Sequence, residues 1–273
     1  MTTTDAPGRA RPDAKKLLNK VPEVTLYFWV IKILCTTVGE TAADFLNVNL
    51  SFGLTNTSYA VGALLAVVLA CQVKARRYIP ALYWSAVVLV SVVGTLITDN
   101  LTDNAGVPLQ TTTMVFAGCL AATFAAWFAS ERTLSIHSIT TRRREGFYWL
   151  TILFTFALGT AAGDLVAEKM ALGYGPSVAI FAAVIALITL AHHKFNLGAI
   201  TAFWAAYILT RPLGASIGDL MSQPTANGGW GLGTTGTSPI FLATILGLVA
   251  FLTVTKKDRI ETVDADERNP ITA

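Results

Sequence analysis

Charge is scarce in this chain. Only 14% of its 273 residues are charged and 53% are hydrophobic, whereas a soluble domain usually carries about 25% charge. Such a chain cannot cover itself with polar surface, which excludes an ordinary soluble domain and makes the bilayer its solvent. Cysteine is equally sparse. Cys35, Cys71 and Cys119 form no Cys-x-x-Cys pair, which argues against a disulfide framework and leaves them as small packing residues. Strict polar–apolar alternation is missing, so a membrane β-barrel is excluded. There is no Gly-rich phosphate loop, no nucleophile elbow and no His-Glu-x-x-His. No polar segment is large enough to host chemistry. The expectation is a protein that is not an enzyme and holds no cofactor. A net charge of +3 suggests no nucleic-acid role.

What is present is one phrase used four times. An aromatic residue and a Trp are followed by a Gly ten positions after the Trp, and an Asp five after the Gly. The copies are Phe28-Trp29…Gly39…Asp44, Tyr83-Trp84…Gly94…Asp99, Tyr148-Trp149…Gly159…Asp164 and Phe203-Trp204…Gly214…Asp219. Successive Asp residues are 55, 65 and 55 apart, the signature of a unit doubled and then doubled again. Each unit continues through a short polar stretch into a second apolar run. The runs cover about 24–46, 57–73, 79–98, 112–129, 147–166, 176–191, 197–218 and 238–255. The odd-numbered ones reach the ~20 residues a spanning helix needs; the even ones need their flanking Thr and Gly. The reading is an all-α membrane protein of eight transmembrane helices, four parallel helical hairpin repeats in a nested duplication. The repeats are about 24–74, 78–130, 146–192 and 197–256, with a disordered cytoplasmic arm over 1–23 and a cytoplasmic tail over 257–273.

The basic residues set the orientation. Of 20 Lys and Arg, 17 lie in the N-terminal arm, the links between hairpins and the C-terminal tail, while the loops inside hairpins hold only Lys169. Positive residues stay inside. Both termini are therefore expected in the cytoplasm of a bacterial inner membrane, with the four hairpin tips outside and every repeat running the same way. This places each Trp near the cytoplasmic interface, where amphipathic rings collect. Each Asp then sits about 22 Å deeper, in the outer third of a ~30 Å core. The Gly residues, with their small neighbours, let helices approach closely.

Four carboxylates thus recur at matched depth, and burying each costs about 2.5–3.5 kcal/mol on insertion scales. One reading is a shared cation or proton site formed by Asp44, Asp99, Asp164 and Asp219; another is that each Asp caps a helix end or bonds its own loop. Departures from the repeat add to the picture. Glu40 follows Gly39 where the other copies have Thr95, Thr160 and Ala215, and it lies one turn from Asp44. Glu168 is likewise four residues after Asp164. Lys32 and Arg211 are the basic residues inside spans. Arg211 is expected to meet a carboxylate or carbonyls, Lys32 to be paired as well, with Glu40 as a partner across helices, and Pro212 to kink its span. Thr41, Asn47, Asn49, Thr98, Asn100, Asp103, Asn104, Thr160 and Gln223 add oxygen ligands of the kind hard cations prefer. His192-His193 point to different helix faces and suggest no metal pair, and His137 lies in a basic link. The last hairpin loop, 223–238, reads as a turn or a lid.

The fourfold [Phe/Tyr]-Trp-x9-Gly-x4-Asp pattern over about residues 24–256 resembles a family of bacterial membrane proteins built from four copies of a two-span repeat of unknown function. Some of its members are labelled as membrane-anchored proteins predicted to regulate amylopullulanase. The resemblance implies architecture and membrane location and says little of activity. The function expected from the residues is a secondary transporter or exchanger of a small cation, a divalent metal such as manganese or magnesium, with protons as possible coupling ions. The partners are then the bilayer and that cation. The four Asp and Glu40 would bind it, and Arg211, Lys32 and Glu168 would couple charge. A second reading is a non-transporting scaffold or regulator docking through Arg142-Arg143-Arg144. A third, an enzyme acting on a lipid-borne substrate with paired carboxylates, lacks a nucleophile.

Overall fold

The computed structural model describes residues 19–49 and 51–258. The described residues contain eight long helices: α1 (Leu26–Asp44), α2 (Leu54–Lys74), α3 (Pro80–Asp99), α4 (Leu109–Glu131), α5 (Arg142–Asp164), α6 (Tyr174–Phe195), α7 (Ala199–Ser222) and α8 (Gly233–Thr255). There is no strand among the described residues. Seven helices, all but α7, are long and apolar enough to cross a membrane. The outer members of each pair are longer than their apolar runs, because flanking Thr and Gly residues join the helices. Local chemistry sets the starts. Thr25 and Thr141 accept hydrogen bonds from the backbone N–H groups of Phe28 and Arg144, and Pro80 opens α3 at a position where its missing N–H costs nothing.

The helices form two concentric layers. Inside, α1, α3, α5 and α7 pack in cyclic order, with α7 closing on α1. Outside, α2 lies on α3, α4 on α5, α6 on α7 and α8 on α1. The second helix of each repeat therefore packs chiefly on the first helix of the next. The self-packed hairpin expected from the sequence is replaced by an open one whose outer helix clasps its neighbour. Burial follows the layers, since α2, α4, α6 and α8 expose most of their side chains. Cys71, expected to be buried, is exposed on α2, while Cys35 is buried on the inner helix α1.

The repeat glycines explain why the inner ring closes. A Cβ on Gly39 would strike Ser91, one on Gly94 would strike Phe156, one on Gly159 would strike Arg211, and one on Gly214 would strike Thr36. Each struck residue stands three positions before the glycine of the next repeat. One contact is thus made four times, and the fourth returns to the first. Absence of the side chain lets each pair of inner backbones meet closely. The aromatic pairs close in the same sense. Phe28 packs on Trp84, Tyr83 on Trp149, Tyr148 on Trp204 and Phe203 on Trp29, with ring centroids 5.7, 5.7, 6.4 and 5.6 Å apart. Trp84, Trp149 and Trp204 are buried, and the Trp204 indole N–H donates to the Leu134 carbonyl at 2.9 Å. They act as wedges between helices at one end of the ring, whereas the sequence suggested indoles facing an interface.

That end also gathers the first and last described residues and the links between repeats. Lys20 pairs with Glu145 at 2.8 Å and donates to the Val73 carbonyl. The Glu23 N–H donates to the Asp258 carbonyl, and the Tyr78 hydroxyl donates to the Asp258 carboxylate at 2.5 Å. Burial and that carboxylate push the Tyr78 phenol well above its ordinary range. Residues 19–23, expected as part of a disordered arm, are thus packed. Residues 1–18, with Arg9, Arg11, Lys15 and Lys16, and residues 259–273, with Arg259 and Arg268, lie outside the described residues.

Gly94→Ala is expected to destabilise the detergent-purified protein by about 1–3 kcal/mol, because its Cβ would stand 2.8 Å from the Phe156 Cβ. Gly62→Ala and Gly118→Ala, where a Cβ meets open space, should leave stability unchanged or slightly raised. Thermal unfolding of the three variants checks this, and equal effects would refute the tight inner contact.

Candidate functional site

Each inner helix turns one stripe of every fourth residue toward the bundle axis. The stripes are Phe28, Lys32, Thr36, Glu40, Asp44 on α1; Tyr83, Val87, Ser91, Thr95, Asp99 on α3; Tyr148, Ile152, Phe156, Thr160, Asp164 on α5; and Phe203, Tyr207, Arg211, Ala215, Asp219 on α7. Nearly all are buried. Read across the four helices they stack in five layers: aromatic rings, a mixed layer with Lys32, a layer with Arg211, a layer with Glu40, Thr95 and Thr160, and the four Asp.

The Asp layer opens into a cavity. In three repeats the Asp ends the regular helix and one π-helical turn follows, Phe45–Asn49, Asn100–Asn104 and Leu165–Lys169. Such widened turns spread the helix ends and recur at functional sites. The cavity has a volume of about 420 Å³ and is lined by Asp44, Asp99, Asp164, Asp219 and Glu40, with Glu168, Asp103, Asn47 and Gln223 around the rim. It has room for about a dozen waters at ~30 Å³ each. Carboxylate oxygens of Glu40, Asp164 and Asp219 lie within 4.8 Å of one another. Glu40 and Asp219 are only 6% and 7% exposed. Among the described residues no hydrogen bond from a helix end or loop reaches any of the four Asp carboxylates. Seven acidic side chains line the cavity with Lys169 as the one lining base. The side chain of Asn49 lies outside the described ones.

Arg211 lies beneath the cavity, bonded to the lining residue Glu40, and is fully buried. Its guanidinium donates to Glu40 at 2.9 Å, to the Thr160 hydroxyl at 2.7 Å, to the Thr36 carbonyl at 3.1 Å and to the Thr95 hydroxyl. One side chain from α7 therefore binds α1, α3 and α5 at once. Planar, multi-donor geometry suits Arg to this task and Lys would not replace it. Pro212, which follows inside α7, packs against Gly163 of α5, so the residue expected to kink the span also sits at a helix contact.

Lys32 behaves differently from its expectation. Arg211 takes Glu40, and the Lys32 ammonium is buried without a hydrogen-bond partner. It lies 3.9 Å from the Tyr207 ring centroid and 4.6 Å from that of Phe156. Cation–π contact of this kind is worth about 2 kcal/mol or more when desolvated. The cost of stripping water from an unpaired ammonium is several kcal/mol. Packing alone therefore gives no reason for a Lys where the other repeats have Val87, Ile152 and Tyr207.

The remaining candidates lie elsewhere. His192 and His193 stand with His137 along an apolar groove of about 510 Å³, and His192 Nδ1 is 2.6 Å from the Leu197 carbonyl. None of the three lines the acidic cavity. The last loop folds back on the end of α7, with the N–H groups of Trp230, Gly231 and Leu232 donating to the carbonyls of Leu220, Gln223 and Met221; it is an ordered turn. Sequence reasoning did not single out Thr95 and Thr160 as guanidinium acceptors. The spacing of four from Phe28 to Asp44, repeated in each copy, was the available signal.

A family model described as Repeat of Unknown Function (DUF347) matches the chain four times, over residues 27–78, 82–133, 147–196 and 202–258. The chain belongs to that family. No curated protein and no solved structure matches it.

Breaking the Arg211–Glu40 pair should be costly in one direction only. Arg211→Met leaves the Glu40 carboxylate buried beside three inner helices without its partner, and a loss of about 3–5 kcal/mol is expected. Adding Glu40→Gln should recover most of that loss. A double-mutant cycle by thermal or denaturant unfolding measures it; additive losses would show that the pair is not coupled.

Proposed function

We propose that this member of the repeat family is a secondary transporter or exchanger for a small cation, a divalent metal such as manganese or magnesium. The observation that carries the proposal is the convergence of five carboxylates, drawn from all four inner helices, on one cavity above a buried guanidinium. Oxygens of Glu40, Asp164 and Asp219 within 4.8 Å of one another can close on an ion with metal–oxygen distances of about 2.0–2.6 Å. Asp44 and Asp99 deepen the attractive field and hold part of the hydration shell. The cavity is wide enough for a cation that keeps several waters, as Mg²⁺ does.

In this reading the chain crosses the bacterial inner membrane eight times, as a nested duplication with both termini in the cytoplasm. α7 crosses as well. At 24 residues it is about 36 Å long, and it can carry Arg211 and Asp219 because most of its surface faces other helices. The cavity then opens outward, and the Arg211 node with the aromatic layers closes the inner end. Binding of a cation at Glu40 weakens the hold of that carboxylate on Arg211. Thr95, Thr160 and the Thr36 carbonyl still accept from the guanidinium while the lower layers part. The scaffold reading draws less support. Arg144 is occupied by Glu131 at 2.7 Å and by the Ser138 carbonyl, and Arg143 reaches the same carboxylate at 3.7 Å, so two of the three Arg in the triplet are already engaged.

In proteoliposomes, Asp164→Asn with Asp219→Asn should reduce Mn²⁺ flux about 100-fold or more while the protein elutes as a folded species. Asp44→Asn with Asp99→Asn should reduce it less. Undiminished flux in the first pair would refute the assignment.

A further inference from the structure

The outer helices repeat as regularly as the inner ones, and α6 breaks their pattern. Leu109 and Tyr174, which open α4 and α6, are 65 residues apart, as Asp99 and Asp164 are. On α4, Phe124 and Trp127 cover Trp204, with ring centroids 5.1 and 5.8 Å from it. Their counterparts on α6, 65 residues on, are Thr189 and His192, which line one groove with Trp29 of the next inner helix. A threonine and an imidazole are too small to cover an indole as those two aromatic rings do. Gln72 of α2, Trp127 of α4 and Leu252 of α8, all near the ends of their helices, are buried, and so are Trp84, Trp149 and Trp204. His192 and Trp29 are only half-buried. The apolar groove of about 510 Å³ lies at this break. It follows α7 from Ala199 to Thr210, eleven residues or about 16 Å, the depth of one leaflet of a ~30 Å core. Its inner tip reaches Ile33 and Thr210, whose carbonyls both accept from the Thr36 hydroxyl at the seam where α7 closes on α1.

We propose that one acyl chain of an anionic phospholipid fills this groove, with the lipid phosphate held by His137, His193 and Lys194. The walls are mostly aliphatic and aromatic, from Leu26 and Ile200 at one end to Ile33 and Ile185 at the other, and suit a hydrocarbon chain. The imidazoles gather at the first of these ends. There His192 commits its Nδ1 proton to the Leu197 carbonyl at 2.6 Å, while His137 and His193 are exposed on the rim and Lys194 follows in the last turn of α6. A neutral imidazole offers one N–H and an ammonium three. No carboxylate lines the groove to compete with a phosphate. Residues 1–18 and 259–273 each contain six charged side chains, so neither segment is apolar enough to take the place of the acyl chain. In the orientation proposed above, this end meets the cytoplasmic leaflet, where anionic headgroups concentrate. The acyl chain then joins α1, α6 and α7 across the seam and does for Trp29 what two aromatic side chains of α4 do for Trp204. The inference holds whether or not the acidic cavity binds a cation.

Native mass spectrometry of the full chain in detergent reads the occupancy, with phosphatidylglycerol and phosphatidylcholine of the same acyl chains as probes. The wild type should bind its first phosphatidylglycerol about tenfold more tightly than later ones and than phosphatidylcholine. Thr189→Phe with His192→Trp gives α6 the residues of α4 and should remove that first site. His137→Ala with His193→Ala changes exposed side chains, which guards against loss of fold, and should reduce the preference for phosphatidylglycerol several-fold. A first phosphatidylglycerol held equally well by the folded filled variant overturns the groove site. Uniform weak binding by the wild type does the same, since it marks bulk lipid around the protein. Equal affinity of the wild type for the two lipids overturns the phosphate contact. Should the filled variant not fold, phosphatidylglycerol brominated along its chains, at one lipid per protein, should quench the part of the fluorescence that Trp29→Phe removes; no quenching of that part overturns the proposal.

Discussion

A guanidinium placed where four helices meet has to find every partner among those helices. Arg211 places both terminal nitrogens on Glu40, Thr95, Thr160 and the Thr36 carbonyl, its Nε staying without a partner, and this fixes the rest. It sets the height at which α1, α3, α5 and α7 meet. It holds a carboxylate in place at the base of the acidic cavity. It separates an upper half of the axis that opens into the acid-lined cavity from an aromatic lower half. The approach of the helices is permitted by Gly39, Gly94, Gly159 and Gly214, and Gly159 is the one that receives Arg211 itself.

The same geometry explains where the four copies differ. A fourfold axis brings equivalent side chains to a point, and a point accepts one large charge. Four Arg at that level would repel and could not be satisfied. Copies that began alike therefore diverge on the axis: Thr36, Ser91, Phe156 and Arg211 at one level, and Lys32, Val87, Ile152 and Tyr207 at the next. Toward the open end the axis widens into a cavity of about 420 Å³, so four Asp can coexist there. Identity among repeats marks positions where symmetry is cheap, and difference marks positions where it is not.

Much of this was legible in the sequence. Four copies of one phrase gave the repeats, and the shortage of charge gave membrane-type helices. The constant fifteen residues from each Trp to its Asp implied a common depth for Asp44, Asp99, Asp164 and Asp219. What could not be read was which neighbour each helix chooses. Outer helices have little inward-facing polarity, so nothing in α2 says whether it lies on α1 or α3. The Trp residues are invariant among copies, yet the axis is lined by the aromatic residue just before each one. Lys32 was expected to have an acidic partner because a lone ammonium in an apolar core is costly. The nearest acid, Glu40, was already committed to a stronger, multidentate donor on a helix 171 residues away in sequence.

The account stands on a water-filled cavity shared by four Asp and sealed below by Arg211. Its most direct test is side-specific thiol labelling, with Cys placed singly at Asp44, Asp99, Asp164, Asp219, Thr36 and Ser91 in a chain whose Cys35, Cys71 and Cys119 are replaced by Ala. A membrane-impermeant charged reagent should modify all four Asp positions from the face opposite the termini and from that face alone, and should leave positions 36 and 91 untouched. Protection of the Asp positions from both faces, or labelling that runs past the Arg211 level, would contradict it.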